Sequence, residues 1–164
     1  MAGIVVVVVL AFRGAAGVLL VWSTLLYLRL KRDGADRTFT LSIHRHHWIQ
    51  AMVHSSVYIW WGSHWEPVVN HVWMLVGQLV FAYAFDMLLS WSRRKTYLLG
   101  FGPFPIIFST NLFLWFRDDW FYLQFLMVAI GFLGKEYVRW NRDGRYVHIF
   151  NPSAFTLGIF SIFL

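Results

Sequence analysis

The sequence predicts a single all-α domain over residues 1–164, a polytopic transmembrane helical bundle of five complete spans and a truncated sixth. Three observations predict it. Hydrophobic residues make up 59% of the 164 and aromatics 20%, whereas only 13% are charged. A soluble domain carries about a quarter charged residues, so lipid is the solvent this composition fits. Apolar runs recur between short polar segments, and the mean hydropathy is +0.55. The basic residues also alternate along the chain. With five spans threaded, Arg29, Lys31, Arg32, Arg37, Arg45, Arg93, Arg94, Lys95, Lys135, Arg139, Arg142 and Arg145 fall on one side and Arg117 alone on the other. That asymmetry makes the first side cytoplasmic and puts the N-terminus outside.

Residues 3–28 form the first apolar run, interrupted by Arg13. As helix it would rise about 39 Å, with Arg13 snorkelling outward if the span occupies its C-terminal two-thirds. A cleaved signal peptide is the competing reading, weakened because no basic segment precedes the apolar core. Residues 29–32 end the helix and residues 33–37 form a polar turn. The second run, residues 48–65, holds His54, Ser55, Ser56 and Tyr58, so it should face the bundle rather than lipid. Glu66-Pro67 opens the third span with Pro in the first turn, where its missing N–H is harmless. That span, residues 68–91, carries Asn70, His71, Gln78 and Asp86.

Two Gly and two Pro fall within residues 100–105, a composition foreign to a helix interior. The run 106–116 that follows would rise only about 16 Å, a broken or half-membrane helix. The alternative is a full span from Leu98 with a kinked entry. Residues 120–137 make a further span. Residues 152–164 begin another helix, of about 20 Å, that stops short of the bilayer core. The chain therefore reads as the N-terminal part of a longer protein. Trp60, Trp61, Trp65, Trp115 and Trp120 collect at the outer interface and Trp48, Trp91 and Trp140 at the inner one, as aromatic belts do.

The net charge of +6 does not point to nucleic acid, because the basic residues cap apolar spans. With no cysteine, disulfide frameworks, thiolate metal sites and Cys-held iron–sulfur clusters are excluded within the chain. His44, His46 and His47 cluster without a neighbouring carboxylate or thiolate, which favours an interfacial polar cluster over a metal site. His54 and His71 lie on adjacent antiparallel helices, as a bis-His b-type cytochrome requires, but their depths differ by about 7 Å. Asp86, the one acidic residue well inside a span, should face an ion, a proton path or a cavity, or else pair with Arg93 or Arg94. Asn70, Gln78, Asn111 and Gln124 read as interhelical hydrogen-bond glue. No H-E-x-x-H, P-loop, G-x-G-x-x-G or nucleophile–base motif is present.

The most specific wording lies at residues 131–155. Asn151-Pro152 reads as a helix start, Asn as N-cap and Pro at the first helical position. His148 then sits near a helix N-terminus able to hold an anion. Lys135, Gly144-Arg145 and His148-Ile149-Phe150-Asn151-Pro152-Ser153-Ala154-Phe155 together resemble the Lys…G-R…H-I-F-N-P-[AS]-[AS]-F segment of the NqrB/RnfD family of membrane proteins. Its members are integral membrane components of the Rnf electron-transport complex and of the sodium-translocating NADH:quinone reductase. With residues 81–86 and 101–105 included, the chain is more similar to the UnbU-type relatives linked to enediyne biosynthesis.

The resemblance covers roughly residues 45–155. It implies an inner-membrane subunit that holds flavin, FMN or riboflavin, and passes electrons within a redox complex, sometimes coupled to cation movement. Lys135, Arg145, His148 and Asn151 would position the flavin or its phosphate from the cytoplasmic side, with Asp86 a weaker assignment for an ion or proton. The family's covalent FMN attachment to a Thr has no counterpart here, since Ser153-Ala154-Phe155-Thr156 does not match the S/D-G-x-T-x-A-T-like segment. A transporter or biosynthetic-cluster membrane subunit, with the broken helix as its gate, is the alternative.

Overall fold

The first helix stops where the chain first allows a left-handed residue. Gly34 has φ 58° and the Ala35 amide reaches back to the Leu30 carbonyl at 3.1 Å, a Schellman closure that ends α1 (Ala2–Asp33). The computed structural model describes residues 2–114 and 121–163, with the backbone alone for 2–12, 114, 121–122, 145–146 and 163. Trp115, Arg117 and Trp120 therefore lie outside the described residues. The remaining helices are α2 (Arg45–Gly62), α3 (Glu66–Asn70), α4 (Val72–Arg93), α5 (Pro103–Leu114), α6 (Phe121–Tyr137) and α7 (Pro152–Phe163).

The chain is predominantly helical, yet the described residues also include four short strands that the all-α expectation did not include. β1 (Thr38–Leu41) pairs in parallel with β2 (Thr96–Leu99), Thr38 opposite Thr96 and Leu41 opposite Leu99. β3 (Arg139–Arg142) pairs antiparallel with β4 (Arg145–His148). The hairpin turns on Asp143 and Gly144, φ 53° and 78°, the two positive values that a tight Asp-Gly turn requires.

Two further expectations are corrected. The third span is not continuous from residue 68: α3 ends at Asn70, and His71 breaks the helix with φ −98° and ψ 6° while its Nδ1 bonds the Pro67 carbonyl at 2.6 Å. Leu98 and Leu99 lie in β2, so of the two alternatives for the fourth helix the late start is found: α5 begins at Pro103. A side chain at Gly100 could not fit, because its Cβ would run into the Ser42 carbonyl oxygen beside the β1–β2 pair. Tyr83 Oη holds that turn from α4, donating to the Gly100 carbonyl at 2.7 Å.

The core sits between α4, α5 and α6, where Phe81, Phe85, Ile107, Phe108, Phe125, Val128 and Phe132 are buried. Phe81 and Phe125 meet edge to face at 5.3 Å. A polar network threads this core. Asn111 Nδ2 donates to Gln78 Oε1 at 2.6 Å, and Gln78 Nε2 to Gln124 Oε1 at 2.7 Å, joining α5, α4 and α6. Asn70 is not part of it: it is exposed and bonds Glu66 on its own helix. α1 lies outside, fastened by Trp22, whose ring meets Phe85 at 5.3 Å and whose Nε1 donates to Ser92 Oγ at 3.1 Å. α1 also exposes Val18, Leu20, Val21 and Leu25, each above 60%.

α1 from Arg13 to Asp33 and α4 are long and apolar enough to cross a membrane by length and composition. Among the described residues, the α1–α2, α4–α5 and α6–α7 connections, which carry basic residues, meet at one end of the bundle. β1–β2 joins the α1–α2 and α4–α5 connections, and Arg37 Nε donates to the Trp91 carbonyl at 2.9 Å. From the α6–α7 side, the Glu136 carboxylate is shared by Arg93 at 3.4 Å, by Arg94, and by Arg139 at 2.5 Å.

Candidate functional site

At this basic end, residues from four elements surround one cavity of about 590 Å³. α2 contributes His46, Gln50 and His54, at helical spacing on one face, together with His47. The start of α5 contributes Pro105 and Ser109, α6 Lys135, and the segment leaving β4 contributes His148, Phe150 and Asn151. Lys135, His148 and Asn151 are thus brought together as the sequence grouped them. The Arg145 side chain lies outside the described residues; its backbone pairs with Arg142 at the far end of the hairpin from His148.

Asn151 caps α7. Its Oδ1 accepts from the Ser153 amide at 3.1 Å and from Ser153 Oγ at 2.7 Å, while its carbonyl accepts from the Phe155 amide at 2.9 Å. With Pro152 lacking an N–H, most of the donors at this terminus are absent or in use, so its capacity to hold an anion is smaller than the sequence implied. The positive charge on the cavity wall comes instead from Lys135, whose Nζ lies 5.4 Å from the Phe132 ring centre. α7 approaches closely enough to place these groups because α6 carries Gly131 and Gly134. A Cβ on Gly131 would lie 2.9 Å from Thr156 Oγ1, and one on Gly134 2.6 Å from the Phe155 ring.

A second cavity, of about 220 Å³, lies against the first, and His47, Gly102 and Lys135 line both. A Cβ on Gly102 would sit 3.9 Å from both Lys135 Nζ and the His47 ring, so both side chains border a residue without one. Asp86 lines this second cavity with Tyr97, Glu136 and Arg94. Arg93 and Arg94 both reach Glu136, while the Asp86 carboxylate accepts a hydrogen bond from the Tyr97 hydroxyl and lies within electrostatic reach of Lys135, Glu136 and Arg94. Burial, helped by Asp86, pushes the Tyr97 phenol above its ordinary value and keeps it protonated.

Two histidines of the larger cavity, His47 and His148, are shifted toward the neutral form. Burial lowers His47, ahead of the α2 apolar run, from 6.5 to about 4, with His46 and Lys135 adding to the effect. His148 is lowered by burial, then by Lys135 and Arg139. A neutral imidazole offers one N–H donor and one acceptor. His46 and His47 have ring centres 4.1 Å apart, yet no group of three His, Cys, Asp or Glu among the described residues has the arrangement of a metal site. On sequence grounds His44, His46 and His47 belong at a lipid interface, an expectation that misses the cavity shared by His46, His47 and His54. The spacing 46–50–54 was the available signal.

No family model, no curated protein and no solved structure matches this chain.

Proposed function

We propose that this chain is a multi-pass subunit of an inner-membrane electron-transport complex resembling the Rnf and sodium-translocating NADH:quinone reductase systems, with its N-terminus outside and a flavin held at the cytoplasmic end. In this reading α1, α2, α3–α4, α5 and α6 supply the five crossings, and α7 belongs to a sixth. The observation that carries it is the meeting of Lys135, His148 and Asn151 on one cavity wall.

The cavity fits such a group. Its roughly 590 Å³ falls within the about 300–1,000 Å³ usual for cofactor sites. Lys135 provides a cation for a phosphate or an electron-rich ring edge, and His47 and His148 provide neutral hydrogen-bonding edges. Phe150, half exposed and stacked on Phe155 at 5.7 Å, offers a flat apolar face. Asn151 acts on the site through the start of α7. A bound flavin would supply reversible electron transfer; the side chains here bind, orient and set the charge around it.

A second reading, a transporter or biosynthetic-cluster membrane subunit, has its own support in the late start of α5 beside the Asp86 cavity, where an ion or proton could pass. The bis-His cytochrome has less, since His54 lines the larger cavity whereas His71 forms the α3–α4 break.

The visible spectrum of the purified chain tests these against one another: flavin bands for the first, no colour for the second, a Soret band for the third. Lys135→Ala or His148→Ala should lower flavin content at least tenfold while Arg32→Gln leaves it unchanged. Unaltered flavin in both site variants would remove the assignment.

A further inference from the structure

We propose that the cleft formed by Arg93, Tyr137 and Arg139 is a binding site for the phosphate of an anionic lipid headgroup, distinct from the flavin cavity. The proposal rests on the membrane reading given above. The cleft measures about 360 Å³ and is lined by these three residues and Glu136. It lies where α4, a helix long and apolar enough to cross a membrane, ends beside the end of α6. That is the depth at which headgroups meet a spanning helix.

Three guanidiniums, of Arg93, Arg94 and Arg139, share the single Glu136 carboxylate and leave two positive charges over. Glu136 is 12% exposed and fixes the cluster from beneath. Arg139 Nε is tied to the Lys135 carbonyl at 3.2 Å and its Nη2 to Glu136, while Arg93 lies 4.5 Å over the Tyr137 ring. Each guanidinium is thereby oriented while retaining donors from its set of five. Such preset forks suit a phosphate, which accepts paired N–H bonds. Tyr137, 60% exposed, flanks the cluster with an amphipathic ring of the kind found at headgroup level. Basic pockets between helices on the cytoplasmic side take anionic headgroups by the same physics.

The test uses the full chain in nanodiscs of phosphatidylcholine alone or with phosphatidylglycerol, and reads phenylglyoxal modification of each arginine by mass spectrometry. Arg93 and Arg139 should be protected at least fivefold by phosphatidylglycerol, and Arg32, 89% exposed on the same end, much less. Protection in phosphatidylcholine discs by inorganic phosphate alone would instead mark a site for a soluble phosphate and overturn the lipid assignment. Equal protection of Arg32 would reduce the effect to general surface charge and overturn it too. As a second readout, Arg93→Gln should cut retained phosphatidylglycerol per chain at least threefold in native mass spectra; retention equal to wild type would overturn the site. A chain that fails to float with either kind of vesicle would defeat the membrane reading itself, a result separable from all of these.

Discussion

Asn111 on α5 donates its side-chain amide to Gln78 Oε1 on α4 at 2.6 Å, with both residues 1% exposed or less. Gln78 passes the chain on to Gln124, so three helices are joined by polar groups in an otherwise apolar core. Replacing Gln78 with Leu removes the partner of Gln124 Oε1 and leaves Asn111 Nδ2 only its bond to the Ile107 carbonyl, and should cost about 1–3 kcal/mol. Replacing all three with Leu should cost less than the single change, since no buried donor or acceptor is then left unpaired. Unfolding in detergent micelles measures both; a triple variant weaker than Gln78→Leu would contradict the network's role.

The α6–α7 contact depends on glycine. A Cβ at Gly131 meets Thr156 Oγ1 and also the Pro152 carbonyl oxygen at 3.3 Å, and backbone cannot give way as a side chain can. Gly131→Ala should destabilise by about 1–3 kcal/mol, the usual cost of overpacking. Gly158 on α7 has nothing within 4 Å of an added Cβ. Gly158→Ala should therefore be neutral or slightly stabilising, and the pair of melting temperatures reads the difference.

Glu136 holds three arginines together. Glu136→Gln removes the charge they share and should lower stability by about 1–3 kcal/mol, the range for hydrogen bonds to charged groups. The remaining penalty is repulsion among cations, so part of the loss should be recovered in high salt. A loss insensitive to salt would assign Glu136 a packing role only.

Stability should fall on acidification. The unfolded chain takes up a proton on His47 near 6.5, whereas the folded chain resists until about 4. Between those values the unfolded state binds more protons, so stability drops as pH falls from about 6.5 to 4 and flattens below. His148, shifted the same way, adds to the slope. Melting temperature against pH should show it, with His47→Gln flattening the curve. Lys135→Gln removes a repelling charge and should move the acidic edge of the transition upward.

The hairpin between α6 and α7 carries His148 at its end, so its turn matters to the flavin proposal. Gly144 at φ 78° tolerates a side chain poorly. Gly144→Val should weaken the hairpin by about 1 kcal/mol or more and lower flavin retention although every cavity residue remains. Retention equal to wild type would separate the hairpin from the site.

Much of the chain is legible where the physics is local. Asn151-Pro152 as a helix start and the breaks around Gly34 and Pro103 follow from backbone rules acting within a few residues. The Asp143-Gly144 signal is equally local, but the surrounding run of basic residues reads as a simple interhelical turn and hides the hairpin. The residue types of Gln78, Asn111 and Gln124 mark them as interhelical glue, while their partners can be named only from packing.

Composition and local order are enough to imply a mostly helical chain with its basic residues in a few short connections, whereas the grouping of Lys135 with His148 and Asn151 is what the family resemblance implies. Which distant pieces meet is a matter of packing. β1 and β2 pair through Thr38 and Thr96, 58 residues apart; the Thr-Phe-Thr-Leu alternation of β1 is a local strand signal, but β2 has none and nothing local names its partner. His46, His47 and His54 reach the cavity because α2 packs beside α5, and Arg93 and Arg94 form their ion pairs with Glu136 on α6 although Arg94 also lines the Asp86 cavity. Pairings of this kind depend on the surfaces helices present to one another across the bundle, which no local pattern of residues encodes.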